Sequence, residues 1–245
     1  MKQSIFTILS NTPLTDCVYK MVLSGDTSAI TAPGQFVNIQ ITGKFLRRPI
    51  SVCDYDGSTL TIVYKVVGKG TEILSRMVPG EKLDILTGLG NGYDLAPAGD
   101  SPVLLCGGVG VPPLYHLAKR LLAMGKQVTV ILGFNTQSEV FYEAEFRALG
   151  CDVDLATADG SAGVRGFATT AIAECRPEFD YFYACGPLPM LRALCDAVQQ
   201  DGQLSFEERM GCGFGACMGC SCKTKYGNKR ICKEGPVLTK GEVIW

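Results

Sequence analysis

Five cysteines clustered between positions 212 and 232 constrain the fold of this chain more than any other feature of its sequence. Cys212, Cys217 and Cys220 are spaced as Cys-x4-Cys-x2-Cys, and Cys222 and Cys232 follow them. The same segment contains the glycines Gly211, Gly213, Gly215 and Gly219. Glycine permits backbone angles and close approaches that other residues avoid, so this composition predicts a tight loop with several thiols directed inward.

The cysteine spacing matches that of a plant-type 2Fe–2S cluster, in which thiolates bind two iron atoms. Backbone N–H groups of a glycine-rich loop can point at the sulfur atoms and stabilise the negative charge of such a cluster. The predicted ligands are Cys212, Cys217, Cys220 and Cys232. Four thiolates complete such a cluster, so Cys222 is a fifth cysteine without an assigned role. An alternative in which Cys222 replaces Cys220 as a ligand stays open.

A structural zinc site is the competing interpretation of the same cysteines. Cys217 and Cys220 form a Cys-x2-Cys pair of the kind that zinc sites use. Zinc requires only four tetrahedral ligands, which leaves the glycine-rich gap between Cys212 and Cys217 unexplained. The sequence therefore favours the iron–sulfur cluster.

The overall composition limits where such a chain works. It has 245 residues, 12 cysteines, one histidine and a net charge of −1, so it offers no basic surface for nucleic acid or an acidic membrane. No apolar run is long enough for a membrane span, and no signal-peptide pattern opens the sequence. Because a reducing compartment keeps thiols free, we expect a soluble cytoplasmic protein whose seven upstream cysteines mostly fill the core.

The pattern of secondary structure changes along the chain. Up to residue 97, β-branched runs such as Leu60–Val67 alternate with glycine turns, which predicts a small antiparallel β-barrel. Beyond it, apolar strands such as Val103–Cys106 alternate with helical stretches such as Leu114–Met124, which predicts a parallel sheet. The expected domains are a β-barrel over residues 1–97, an α/β domain over 98–203 and a small C-terminal cysteine module over 204–245.

Two motifs in the barrel segment suit a phosphate group. Arg47-Arg48-Pro49-Ile50-Ser51 starts a predicted strand, and guanidinium groups bind phosphate through two parallel hydrogen bonds. Gly68-Lys69-Gly70-Thr71 precedes a helical stretch, where free backbone N–H groups can hold a phosphate. Each motif also has an ordinary explanation, the first as solvated surface charge and the second as a glycine turn capped by Thr71.

Two glycine turns follow apolar strands of the α/β segment. One is Cys106-Gly107-Gly108-Val109-Gly110-Val111-Pro112-Pro113, between a strand and a helix, and the other is Cys185-Gly186-Pro187. Glycine lets the backbone approach a dinucleotide, and ligands bind at the strand ends of a parallel sheet. Pro113 stands where the common dinucleotide fingerprint has its third glycine, but two such turns together still predict a nucleotide site.

We predict no catalytic acid, base or nucleophile in this chain. His116, the single histidine, lies on a predicted helix, and the motifs of serine hydrolases, zinc proteases and phosphate-binding loops are absent. Dinucleotide turns and a redox cluster with few acid–base groups suit electron transfer, in which bound cofactors perform the chemistry.

The ordered motifs, with the Glu207-Glu208-Arg209-Met210-Gly211-Cys212 lead-in, resemble the ferredoxin–NADP reductase superfamily. Over essentially the whole length, the chain is most similar to its dihydroorotate dehydrogenase B electron-transfer subunits, in which an FAD-binding barrel precedes a nicotinamide-nucleotide domain and a 2Fe–2S module. The resemblance implies that FAD is held by Arg48, Pro49, Ile50, Ser51, Val63, Tyr64, Lys65, Gly70 and Thr71. It implies that NAD(H) is flanked by Gly107, Gly108, Gly110, Cys185, Gly186 and Pro187. Because Ile50 stands where the superfamily commonly has a flavin-stacking tyrosine, Tyr64 becomes the candidate for stacking.

The activity implied by this resemblance is an electron relay. NADH reduces FAD, FAD passes single electrons to the 2Fe–2S cluster, and the cluster passes them to FMN in a separate catalytic subunit that interconverts dihydroorotate and orotate. The family implies a heterotetramer with two copies of each subunit. NADH is expected rather than NADPH because residues 133–139, after the second strand of the sheet, contain no arginine for a 2′-phosphate.

Two other functions compete with this one. The same three modules would serve as the NAD(P)H-dependent flavin and iron–sulfur subunit of another complex, such as a sulfide dehydrogenase, an NADH-dependent ferredoxin:NADP reductase or a hydrogenase. A protein of another class, a zinc-bearing binding module without redox activity, is the second alternative.

Overall fold

A computed structural model of the chain describes residues 1–175 and 177–245. Its first part is a closed barrel of six antiparallel strands in the order β1-β2-β5-β4-β3-β6. The strands are β1 (Lys2–Pro13), β2 (Val18–Ser24), β3 (Phe36–Ile39), β4 (Arg48–Tyr55), β5 (Thr59–Lys65) and β6 (Lys82–Leu89), and the helix α1 (Lys69–Ser75) lies between β5 and β6. The predicted antiparallel barrel is therefore confirmed.

Along the barrel strands, residues that face the core alternate with residues that face solvent. In β6, Leu83, Ile85, Thr87 and Leu89 are buried while the residues between them are more exposed, which is the two-residue period of a strand with one buried face. The barrel closes where β1 pairs with β6. The interior is filled by large apolar side chains that include Phe6, Met21, Leu23, Ile39, Leu60 and Ile62.

The second sheet has seven strands in the order β10-β9-β8-β7-β11-β12-β15. These strands are β7 (Val103–Gly107), β8 (Thr129–Phe134), β9 (Asp152–Thr157), β10 (Val164–Arg165), β11 (Phe182–Cys185), β12 (Gly202–Ser205) and β15 (Val237–Thr239). The helices that accompany them are α2 (Pro112–Ala123), α3 (Glu143–Leu149), α4 (Ala168–Cys175) and α5 (Leu188–Ala197). β7 is buried along its whole length, which is typical of a parallel strand covered on both faces.

The strands β13 (Ser221–Thr224) and β14 (Gly227–Arg230) form a small hairpin. Cys212, Cys217 and Cys220 precede this hairpin, Cys222 lies in β13, and Cys232 follows β14. The chain forms two compact units, one made of residues 1–92 and 207–237 and the other of residues 93–206 and 238–245. The clustered cysteines thus share a unit with the barrel. No helix among the described residues is long and apolar enough to cross a bilayer.

Residues 234–237 are held by the last turn of the barrel within the first unit. The side-chain amide of Asn91 donates to the carbonyl oxygens of Glu234 (3.1 Å) and Val237 (2.8 Å). Its Oδ1 accepts the backbone N–H of Val237 at 3.1 Å, and its backbone N–H donates to Gly235 at 2.7 Å. One asparagine thereby replaces the pairing that a neighbouring strand would supply.

Candidate functional site

The four predicted cluster ligands lie in two neighbouring pairs. The Sγ of Cys212 accepts the backbone N–H groups of Ala216 (3.2 Å) and Cys217 (3.4 Å), and the Sγ of Cys217 accepts the N–H of Cys212 at 3.5 Å. In the second pair, the Sγ of Cys220 accepts the N–H of Cys232 at 3.4 Å. Hydrogen bonds from backbone N–H groups to sulfur are the interactions that stabilise the charge of an iron–sulfur cluster.

The two pairs differ in how readily a thiol loses its proton. Burial opposes ionisation of Cys212, but loop N–H groups, above all that of Phe214, and the Cys217 thiol outweigh burial and lower the pKa of Cys212 to about 6. Burial, the hydrogen-bonded thiol of Cys220 and the charges of Cys220 and Cys212 raise the pKa of Cys232 to about 12. Because the thiolate is the form that binds metal, Cys212 is the more readily ionised of these two predicted ligands.

The space around the exposed Cys217 thiol also depends on glycine. A Cβ at Gly211 would stand 3.2 Å from the Sγ of Cys217, and one at Gly219 would stand 3.6 Å from it.

Among the described residues, no three Cys, His, Asp or Glu side chains surround a common point as ligands. The donor set still fits a 2Fe–2S cluster, since two adjacent thiol pairs with backbone N–H groups on their sulfur atoms match its chemistry.

Cys222 has a different setting from Cys220. It lies within β13 opposite Lys229 of β14 and is partly exposed, whereas Cys220 precedes the strand and is 2 % exposed. The contact between Cys220 and Cys232 therefore supports Cys220 as the ligand, and this assignment remains a prediction.

The residues predicted to hold the FAD diphosphate come together in the barrel. A Cβ at Gly70 would stand 2.4 Å from the Nε of Arg48, so this guanidinium lies directly against the start of α1. The Oγ1 of Thr71 accepts the backbone N–H groups of Val67 (3.0 Å) and Gly68 (3.3 Å), which fixes the turn. Arg48 and this turn thus form a surface that could hold a phosphate group.

The other predicted flavin residues divide into two groups. Arg48, Pro49, Ile50 and Ser51 are all partly exposed, so a ligand can reach this end of β4. Tyr64 instead lies in the barrel core, 2 % exposed, and its hydroxyl donates to Asn11 at 3.0 Å. Val63 is also buried and Lys65 is partly exposed. Tyr64 has no open ring face, so the structure gives its predicted flavin stacking no support.

The two glycine turns of the α/β unit meet each other through their backbones. A Cβ at Gly110 would stand 2.0 Å from the carbonyl oxygen of Cys185, and one at Gly186 would stand 3.1 Å from the Cα of Gly107. Cys106 and Cys185 are also register partners on β7 and β11. Gly108 has φ +51 and open space where a Cβ would lie, so the paired turns leave room for a ligand.

The sequence did not indicate a groove of about 310 Å³ that lies beside Pro187 in the same unit. It is lined by Leu188, Pro189, Arg192, Phe206, Val243, Ile244 and Trp245. The rings of Phe206 and Trp245 are 6.1 Å apart. No local motif could have shown that residues 243–245 return to the start of α5.

Glu139 is a polar residue of the α/β unit that the sequence patterns did not single out. It ends a short 3₁₀ turn (Gln137–Glu139) that follows β8, and its carboxylate accepts the backbone N–H (3.3 Å) and the Nδ2 (2.8 Å) of Asn135. An acidic side chain after the second strand of a dinucleotide fold favours the ribose 2′-hydroxyl of NAD over a 2′-phosphate.

A closed six-stranded barrel followed by a parallel sheet with two paired glycine turns places this chain in the ferredoxin–NADP reductase class of folds. The solved NADH-dependent reduced ferredoxin–NADP oxidoreductase superposes with a TM-score of 0.88 at 29% identity, over 98% of this chain and 90% of that one. A cytochrome P450 reductase from Amycolatopsis shares the fold at 21% identity, with a TM-score of 0.71 over 80% of this chain and 65% of that one.

The sequence relatives and family models narrow this class. Residues 207–244 match the iron–sulfur cluster binding domain of dihydroorotate dehydrogenase B, and residues 104–196 match the oxidoreductase NAD-binding domain. Electron transfer subunits of dihydroorotate dehydrogenase B (NAD(+)) from Geobacillus sp. (strain WCH70) and Bacillus caldolyticus are 44% and 45% identical, over 100% and 97% of this chain and 99% and 97% of theirs. The chain belongs to the family of dihydroorotate dehydrogenase B electron-transfer subunits, which confirms the resemblance found in its sequence.

Proposed function

We propose that this chain carries electrons from NADH to an FMN-containing catalytic subunit that interconverts orotate and dihydroorotate. The full-length relatives named as electron transfer subunits of dihydroorotate dehydrogenase B support this proposal. The observation that carries it is the placement of the thiol pairs and the Arg48 motif in one compact unit. Flavin and cluster would then be held by the same folded body.

The residues of the chain bind and orient the cofactors. When bound, FAD accepts hydride from NADH and a 2Fe–2S cluster accepts its electrons singly, so that together they convert two-electron into one-electron chemistry. Arg48 and the turn at Gly70 would hold the diphosphate of FAD. Gly107, Gly108, Gly110, Cys185, Gly186 and Pro187 would bind the nicotinamide nucleotide. Cys212, Cys217, Cys220 and Cys232 would ligate iron.

The exposed side of the four predicted ligand cysteines supports a contact through which electrons would pass to the partner. Cys217 is exposed, whereas Cys220 and Cys232 are buried. The side chains beside Cys217 are apolar and also exposed, 44 % for Phe214 and 54 % for Met218. An exposed ligand within an apolar surface patch suits contact with another protein that excludes water from the electron path.

We further propose the assembly and location that go with this function. Two copies of the chain would join two catalytic subunits in a cytoplasmic heterotetramer, and each copy would contain the three domains 1–97, 98–203 and 204–245. All twelve cysteines are free thiols, which is expected of a protein in a reducing compartment.

Isolation of the native complex tests the proposal. The complex should contain FAD, FMN and iron, and it should reduce orotate with NADH. The catalytic subunit alone should lose this NADH-dependent activity, and it should regain it on addition of the wild-type chain but not of Cys220→Ser. A partner that reduces ferredoxin or sulfur compounds instead of orotate would favour the other complexes. A colourless, zinc-containing chain would exclude electron transfer altogether.

A further inference from the structure

Asn38 is a polar residue in the middle of an otherwise apolar barrel strand. It lies on β3 between Val37 and Ile39 and is 1 % exposed. A buried amide destabilises a protein unless its donors and acceptor are paired. An asparagine at this position therefore requires an explanation other than packing.

The donor side of the amide reaches the cysteine loop. Its Nδ2 donates to the carbonyl oxygen of Cys212 at 3.1 Å, across 174 positions of sequence. The next residue, Gly213, has φ +79, and a Cβ there would stand 2.3 Å from the same Nδ2. Glycine at 213 thus makes room for the amide, and the loop and the strand are fitted to each other.

The backbone of Asn38 is fixed beside the proposed flavin motif. Asn38 pairs with Pro49 of β4 in the antiparallel register, so both side chains lie on one face of the barrel wall. The carbonyl oxygen of Asn38 accepts from Nη1 of Arg47 at 3.3 Å, and Nη2 of Arg47 pairs with Oδ1 of Asp84 at 2.9 Å. The amide is therefore presented by a rigid part of the barrel.

The acceptor side of the amide has no partner in the protein. Oδ1 of Asn38 is buried and receives no hydrogen bond within residues 1–175 and 177–245. Burial of an unpaired acceptor is unfavourable, so a donor from outside the chain is expected. The ring of a flavin carries such N–H donors, and the proposed flavin motif pairs directly with this strand.

We propose that Asn38 is a positioning residue that joins the flavin site to the cluster site. Its Nδ2 holds the cysteine loop at the Cys212 carbonyl, and its Oδ1 accepts a hydrogen bond from a ring N–H of the bound flavin. One rigid amide then sets the placement of both groups. This inference rests on the proposed function, since it requires that both cofactors bind.

The test compares the variant Asn38→Leu with Thr87→Val in the full chain as purified with its cofactors. Thr87 is a matched control, because it is fully buried on β6 and its hydroxyl donates to the Lys2 carbonyl at 3.3 Å. After rapid mixing with NADH, flavin and cluster reduction are followed separately by absorbance. The midpoint potentials of both groups and the melting temperature are measured in parallel.

We expect Asn38→Leu to slow cluster reduction by about tenfold relative to flavin reduction, because displacement of the flavin and the cysteine loop from each other slows transfer between them. The midpoint potential of its flavin should also shift, while its melting temperature stays close to that of Thr87→Val. Loss of FAD from a folded Asn38→Leu chain that retains iron would equally support the acceptor role. Wild-type rates and potentials, or the same changes in Thr87→Val, would overturn the inference.

Gly213→Ala separates the two halves of the proposal and replaces Asn38→Leu if that variant does not fold. It should displace the amide from Cys212 and alter the cluster potential and electron paramagnetic resonance signal, but leave flavin content unchanged. Gly227→Ala is its control, since φ is +104 there and open space surrounds the added Cβ outside the cysteine loop. Identical cluster signals in both glycine variants would refute the anchoring role. If the wild-type chain bound neither FAD nor iron, the proposed function would fail together with this inference.

Discussion

The nucleotide turns and the cysteine loop are assembled in opposite ways. The turns consist of backbone from β7 and β11, two strands in register, and Gly110 lies too close to Cys185 for any side chain. The cysteine loop, residues 211–220, contains no strand or helix. Hydrogen bonds from Asn38 and from N–H groups of the loop itself hold it instead.

This difference indicates which site needs its ligand in order to be completed. Backbone atoms in a sheet are placed by the fold, so the nucleotide turns form whenever the sheet forms. The thiols must still give up protons, and the pKa of Cys232 is raised, so iron binding and the final loop structure are coupled. Four substitutions test this contrast.

The largest effect is expected from Cys220→Ser, which removes a buried thiol of the second pair. The protein should lose its 2Fe–2S cluster, because a serine hydroxyl does not replace a thiolate toward iron, while FAD stays bound. Iron content and the reduced-state electron paramagnetic resonance signal measure this directly. Cys222→Ser is the control and should keep the cluster; iron loss there together with retention in Cys220→Ser would reverse the ligand assignment.

Gly110→Ala should damage the nucleotide turns and leave the cysteine loop intact. The new Cβ would overlap the carbonyl oxygen of Cys185, and overpacking by about 3 kcal/mol would weaken NADH binding by about a hundredfold. A titration of NADH followed by flavin bleaching gives the affinity. Gly241→Ala in the same unit is the control, because open space surrounds its Cβ and its φ is not positive, so unequal losses in the two variants are required.

Asn91→Ala tests how far the region around the thiols depends on side-chain hydrogen bonds. Three hydrogen bonds between the solvent-exposed side-chain amide of Asn91 and residues 234–237 would be lost, lowering the free energy of unfolding by about 1–2 kcal/mol. Denaturant unfolding measures this loss, and iron should also leave faster in the presence of a chelator. Asn228→Ala, at an exposed hairpin position, should change neither quantity; equal stability of both variants would contradict the role of Asn91.

The smallest effect is expected from Glu139→Arg at the end of β8. Replacing this carboxylate with a guanidinium should shift the preference from NADH toward NADPH by about tenfold, since guanidinium binds a 2′-phosphate. Steady-state flavin reduction with each nucleotide gives the ratio. Glu145→Arg makes the same change of charge on α3; a similar shift there would point to a long-range charge effect rather than to contact at Glu139.

The sequence predicts those parts of the fold that depend on local patterning. The continuous apolar run at β7 and the β-branched run at β5 identify their strands within a residue or two. α2 begins at Pro112, because proline fits the first turn of a helix. The hairpin β13–β14 was not predicted, since its strands are short and polar and lack an alternating apolar face.

The candidate site is predictable where its residues follow one another and not where they meet across the fold. Cysteine spacing and glycine turns are local and were found. The burial of Tyr64, whose ring packs in the barrel core, depends on the closure of six strands. The contact of Asn38 with Cys212 joins residues 174 positions apart, and no pattern in a single sequence shows such a pair.

The chain leaves the barrel's unit at residue 92 and returns to it at residue 207. During synthesis the barrel therefore emerges from the ribosome first, and residues 93–206 are made before any cluster ligand exists. Cys232, the last of the predicted ligands along the sequence, is translated after all of these residues. Insertion of a cluster with all four predicted ligands must then follow translation of residues 93–206, and chains that stop before residue 232 would contain the barrel strands without the complete set of thiols.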